Sequence, residues 1–172
     1  MKYLKLFALG SFLFINTVGF SAKAQTGSPP AYIDAEGFQK ITQKAFEQRD
    51  KQRIDLKTFI QMAQEAHTVI LDTRSASAYQ RKHIAGALHL NFSDFTQAKL
   101  EKLIPDKSTR ILIYCNNNFS DDPQNFPTKS APLALNIPTF INLYGYGYTH
   151  IYELKDLLSV KNPALRFVGT EV

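Results

Sequence analysis

Only one cysteine, Cys115, occurs among 172 residues, so no internal disulfide can brace this fold in an oxidising compartment. No two of the four histidines stand at metal-ligand spacing, which excludes a metal site of the common kinds; no cofactor is expected. A membrane-spanning run is missing too: the apolar stretch at residues 6–20 contains Asn16 and Thr17 and falls short of the roughly 20 apolar residues that cross a bilayer. Lys2 and Lys5 precede it and the small residues Ser21, Ala22 and Ala24 follow, the pattern of a secretory signal peptide over residues 1–24. Excess positive charge disappears with that leader, which carries Lys2, Lys5 and Lys23 and no acid, so the net charge of +5 becomes +2. The basic residues that remain are interleaved with acids, as in Lys99-Leu100-Glu101-Lys102, which excludes nucleic acid as a partner. Internal repeats and low-complexity tracts are also absent. The expected organisation is a mobile Pro-containing leader at 25–33 and one domain over residues 34–172, free of the membrane after signal removal.

The domain alternates helical and strand patterns. Phe38, Ile41, Ala45 and Phe46 recur at helical spacing behind Asp34, a candidate N-cap. Leu56, Phe59, Ile60 and Ala63 do the same behind Asp55. Apolar runs at 68–71, 110–114 and 151–154 read as buried strands, with shorter helical stretches at 77–80 and 92–103. A further helix is expected from Ser130, with Pro132 in its first turn and a kink at Pro138. Strands that are apolar throughout and separated by helices imply an α/β fold whose central parallel sheet is covered by helices on both faces, plus an extra N-terminal helix.

Reactive groups in such sheets gather at the carboxyl ends of the strands, and Cys115 closes the run Ile111-Leu112-Ile113-Tyr114 and opens the polar segment Asn116-Asn117-Asn118-Phe119-Ser120. A thiolate there needs backbone N–H groups aimed at it. Four pieces occur in order: Thr68-Val69-Ile70-Leu71-Asp72-Thr73-Arg74; Ala78-Tyr79; His83-Ile84-Ala85-Gly86-Ala87-Leu88; and Ile111-Leu112-Ile113-Tyr114-Cys115. Together they resemble the rhodanese-like domain over residues 54–154, and Gly147-Tyr148-Thr149-His150-Ile151-Tyr152-Glu153-Leu154 resembles that family's approach to its last sheet strand.

The resemblance implies a sulfurtransferase in which Cys115 carries sulfane sulfur as a persulfide, from thiosulfate, a persulfide or a polysulfide to a thiophilic acceptor such as a small thiol. Substrate contacts are then expected from Asn116, Asn117, Asn118, Phe119, Ser120 and Lys129, with Asp72, Arg74 and His83 as structural support. A periplasmic location suits such a relay better than full secretion, because it needs reducing partners nearby. The chain departs from the family pattern after the cysteine. Asn116 to Thr128 forms a longer loop than expected, without arginine, in which Asp121 and Asp122 would face an anionic donor. The alternative is therefore a non-catalytic module that uses loop 116–128 to bind a partner protein or small ligand. A phosphatase is disfavoured: no arginine follows Cys115 before Arg166 to stabilise a phosphoryl group.

Overall fold

Asp34 starts helix α1 (Ala35–Arg49) by accepting the Gly37 N–H on its carboxylate at 2.7 Å. After strand β1 (Arg53–Ile54), Asp55 caps helix α2 (Leu56–Ala63) in the same way, accepting the Thr58 N–H at 2.9 Å. Each cap pairs an N–H that the first helical turn leaves free, a contribution of about 1 kcal/mol. The computed structural model describes residues 30–172. The signal peptide expected at 1–24 and most of the leader at 25–33 lie outside the described residues; residues 30–33 form neither helix nor strand, and residues 34–172 pack as one unit. No helix among the described residues is long and apolar enough to cross a membrane.

Strand β2 (Thr68–Asp72), helix α3 (Ala76–Arg81), strands β3 (His83–Ile84) and β4 (Leu88–His89), helix α4 (Gln97–Leu103), strand β5 (Arg110–Tyr114), helix α5 (Asn136–Gly145) and strands β6 (Ile151–Leu154) and β7 (Phe167–Val168) complete the unit. Five strands form a parallel sheet in the order β1-β6-β5-β2-β4, and β3 pairs antiparallel with β7 in a separate ribbon. The central position of β5 explains its unbroken apolar run, because side chains on both faces meet core. Ile111 and Ile113 join Leu71, Phe140 and Ile151 on one face, under α1, α4 and α5. Leu112 and Tyr114 join Phe59, Ile70 and Leu154 on the other, under α2. Fully burying a side chain of this size contributes about 1.5–3 kcal/mol. Strand alternation then places Cys115, two residues beyond Ile113, on the face toward α5.

Three local expectations are corrected. The stretch at 92–103 is a 3-10 turn (Phe92–Asp94) followed by α4, which Thr96 caps. Ser130 likewise precedes only a 3-10 turn (Ala131–Leu133), and the helix starts at Asn136. Pro138 therefore falls in the first turn of α5, where its missing N–H has no intrahelical partner to lose. The other end of α5 closes on Gly147, whose φ of +88° allows its N–H to reach the Tyr144 carbonyl and that of Tyr148 to reach Leu143. Strands β1, β3 and β7 are each two residues long, too short to carry a periodicity in the sequence.

Candidate active site

The peptide chain turns sharply as it leaves β5. Residues Asn116–Asn118 make a 3-10 turn, and Asn118 holds it: its Oδ1 accepts the Cys115 N–H while its Nδ2 donates to the carbonyls of Leu154 and Asp156 beside β6. The backbone N–H groups of Asn136, Asn117 and Leu135 lie close enough to the Cys115 thiol to favour its ionised form. Leu135 and Asn136 begin α5, so the sulfur also meets the positive end of a helix. Asn117 belongs to the segment 116–120 from which donors are expected, whereas Leu135 and Asn136 stand at the start of α5.

Cys115 is only 2% exposed. Burial pushes its thiol above the ordinary value, Glu153 pushes in the same direction, and the three N–H groups pull against both without cancelling them. The thiol borders a cavity of about 260 Å³ whose wall also includes Arg49, Arg53, Asn117, Glu153 and Lys155. Three cations and one carboxylate make this wall net positive. None of these four charges was singled out in the sequence. Glu153 and Lys155 bracket the last residue of β6 and could have been suspected from its pairing beside β5; Arg49 and Arg53 are more than 60 residues away along the chain.

The remaining predicted residues separate. Asn117 exchanges two hydrogen bonds with the backbone of Lys129, at 2.7 and 3.1 Å, and lines the thiol cavity. Lys129 and Asn116 instead line a different cavity of about 380 Å³, with Thr73, Arg74, Ser75 and Arg81, which does not reach Cys115. Phe119 is buried in an aromatic cluster, 4.4 Å from Phe126 and 5.3 Å from Phe167 between ring centroids, and the Ser120 hydroxyl donates to the Leu158 carbonyl. Neither of these two expected substrate contacts borders the thiol cavity. The physical reason is that the segment 116–128 folds inward on its own phenylalanines.

Its acids are turned aside as well. Asp121 accepts from Ser159 Oγ at 2.6 Å and from the Val160 N–H at 2.8 Å, while Asp122 pairs with Lys82 at 3.0 Å. Neither lines the cavity at Cys115, which overturns the expectation that they face a donor.

Asp72, Arg74 and His83 hold the surrounding loops. Arg74 grips Asp72 with Nε and Nη2, both side chains buried, and donates to the carbonyls of Lys82 and Asn125. Its guanidinium also lies 4.4 Å from the Phe126 ring centroid. His83 stacks on Tyr79 at 3.7 Å and bonds the Tyr79 carbonyl through Nδ1. These contacts tie α3, β3 and the segment 116–128 to the carboxyl end of β2.

The rhodanese-like domain family model matches residues 55–156. No curated protein shows a significant match. Among solved structures, a rhodanese-like domain of an Anabaena protein, studied in solution, is 20% identical, covers 70% of this chain and 80% of its own, and superposes with a TM-score of 0.49. A Bacillus halodurans protein is 16% identical over 77% of this chain and 88% of its own, with a TM-score of 0.46. A rhodanese with anions from E. coli is 21% identical over 59% of this chain and 98% of its own, with a TM-score of 0.40. Because the family match spans more than half of its residues, the chain belongs to the rhodanese-like domain family.

Proposed function

We propose that the protein is a sulfurtransferase that carries sulfane sulfur on Cys115. The observation that supports this most directly is the place of the lone cysteine, at the carboxyl end of the central strand β5 and beside a net-positive cavity, where backbone N–H groups of Asn136, Asn117 and Leu135 favour its ionised form. With thiosulfate as donor, the Cys115 thiolate attacks the outer sulfur, a Sγ–S bond forms, the donor S–S bond breaks, and sulfite leaves with the electron pair. The persulfide anion stays where the N–H groups of Asn117, Leu135 and Asn136 can hold its charge. An acceptor nucleophile then attacks the outer sulfur and the Cys115 thiolate departs. Arg49, Arg53 and Lys155 favour an anionic donor, thiosulfate or an inorganic polysulfide, over a neutral one.

The test is to incubate the purified protein with each donor and follow its intact mass. One added sulfur that cyanide removes supports the proposal, and Cys115→Ser should abolish it with the fold unchanged. A wild-type protein that takes up no sulfur from any donor would overturn it. Burial of the thiol favours one other reading, a non-catalytic module that binds a partner through the segment 116–128; a thiol inert to both donors and alkylating reagents supports that reading.

Export to the periplasm belongs to the same proposal, resting on Lys2, Lys5 and the apolar residues 6–20. Amino-terminal sequencing of protein recovered from producing cells should begin near Gln25, and an intact Met1 would exclude it.

A further inference from the structure

Arg49 is the last residue of α1, and both α1 and β1 lie outside the residues that the family model matches. Even so, Arg49 forms part of the wall around Cys115. Its guanidinium holds both oxygens of Glu153, Nε to Oε2 at 2.5 Å and Nη2 to Oε1 at 2.7 Å, with the two side chains 13% and 7% exposed. Glu153 is paired in register with Ile113 of β5. Cys115 follows two residues later on the same face, so the carboxylate and the thiol are diagonal neighbours across two parallel strands.

A buried carboxylate in that position opposes any second negative charge, whether a thiolate, a persulfide or an incoming anion. A two-pronged guanidinium both fixes the carboxylate's direction and offsets its charge. We propose that Arg49 is a positioning residue for Cys115, acting through Glu153, so that the helix preceding the matched domain governs how readily the thiol ionises. The other charged groups facing the thiol cavity are Arg53 of β1 and Lys155 beyond β6. Helix α5 and the 116–118 turn present only uncharged side chains there, among them Asn117, Asn118, Asn136 and Ile137. Arg49 is the one cation of the three with both oxygens of Glu153 in its grasp. Glu153 acts on the thiol in the direction that disfavours ionisation.

The inference rests on Cys115 being the reactive group, but its test reads the thiol itself and not sulfur transfer. The alkylation rate of Cys115 by iodoacetamide is measured against pH in the full-length chain. Arg49→Gln should slow alkylation at a fixed pH below the midpoint by roughly three- to tenfold, the effect of moving the midpoint up by about half to one pH unit. Glu153→Gln should quicken it by a similar factor, Arg49→Lys, which keeps the charge but not the two-pronged grip, should recover only part of the lost rate, and Arg49→Gln should matter less once Glu153 is already Gln. An unmoved pH profile in folded Arg49→Gln protein, its fold checked by circular dichroism, would show an ion pair with a purely architectural role and overturn the inference. If Arg49→Gln does not fold, Glu153→Gln decides, and an unmoved profile there overturns the inference equally. A protein with the expected shifts that never accepts sulfur would uphold the role of Arg49 and overturn the sulfurtransferase reading. Normal sulfur uptake with unmoved profiles would do the reverse.

Discussion

Tyr114 donates its hydroxyl hydrogen to Asp72 at 2.5 Å, and both side chains are completely buried at the carboxyl ends of neighbouring strands. The same hydroxyl oxygen accepts the Ile84 N–H at 3.1 Å, so one phenol joins β5, β2 and β3 one residue before the candidate nucleophile. Asp72 in turn neutralises Arg74. Tyr114→Phe should therefore cost about 2–3 kcal/mol, because it removes a hydrogen bond to a charged group and leaves a buried N–H unpaired. Asp72→Ala should cost more, about 3–5 kcal/mol, since it strands a buried guanidinium. Urea unfolding followed by circular dichroism ranks the two, and an Asp72→Ala variant no less stable than Tyr114→Phe would contradict this arrangement.

Asn118 is the other fastening, reaching from the turn after Cys115 to β6 with four hydrogen bonds: from the Cys115 N–H, from Asn136 Nδ2, and to the carbonyls of Leu154 and Asp156. Asn118→Ala should lower stability by about 2–4 kcal/mol and loosen the turn that aims the Asn117 N–H at the sulfur. Asn118→Asp, which keeps the acceptor and loses the donors, should also fail to restore the wild-type unfolding midpoint. Full recovery in the aspartate variant would mean that the contacts with the Leu154 and Asp156 carbonyls contribute little.

Burial raises the Cys115 thiol pKa, with the three N–H groups in partial opposition. Alkylation of the wild-type protein should consequently be slow at neutral pH and reach half its maximal rate above the ordinary thiol value of about 8.5. A midpoint below that value would mean that the amides and the cationic wall outweigh burial.

Replacing Asp121 and Asp122 together by Asn should leave sulfur uptake from thiosulfate unchanged, because both carboxylates point away from Cys115. Their effect belongs to acid stability. Burial pushes the Asp122 carboxyl up, but its bonds with Lys82 and Asn125 outweigh that and hold it below the ordinary range; Ser159 and Val160 hold Asp121 low. A carboxyl whose folded pKa is depressed stabilises the fold above its unfolded value of about 4 and loses that contribution as pH falls further. Thermal midpoints of the wild type should thus drop more steeply below about pH 4 than those of Asp121→Asn/Asp122→Asn, and parallel curves would refute the assignment.

Much of this molecule was legible residue by residue. The caps Asp34 and Asp55, the strand at 110–114 and the parallel arrangement follow from local patterns, because helix starts and buried strands are set by side chains within a few residues of one another. The exit of the chain at Cys115 was readable for the same reason. In loop 116–128 the acids alone suggest a face toward substrate, whereas Phe119 and Phe126 draw the segment into the core and Lys82, Ser159 and Val160 take up the carboxylates.

What the amino-acid order alone determined, then, is a lone sulfur at the end of a central strand in an α/β unit. Which charges surround that sulfur was decided only by the tertiary structure. The sheet order β1-β6-β5 carries Arg53, Glu153 and Lys155 to the side of Cys115, and α1 lays Arg49 across them. Electrostatic energy depends on distance through space, and no local pattern records which distant side chains a parallel sheet will bring within reach of one thiol.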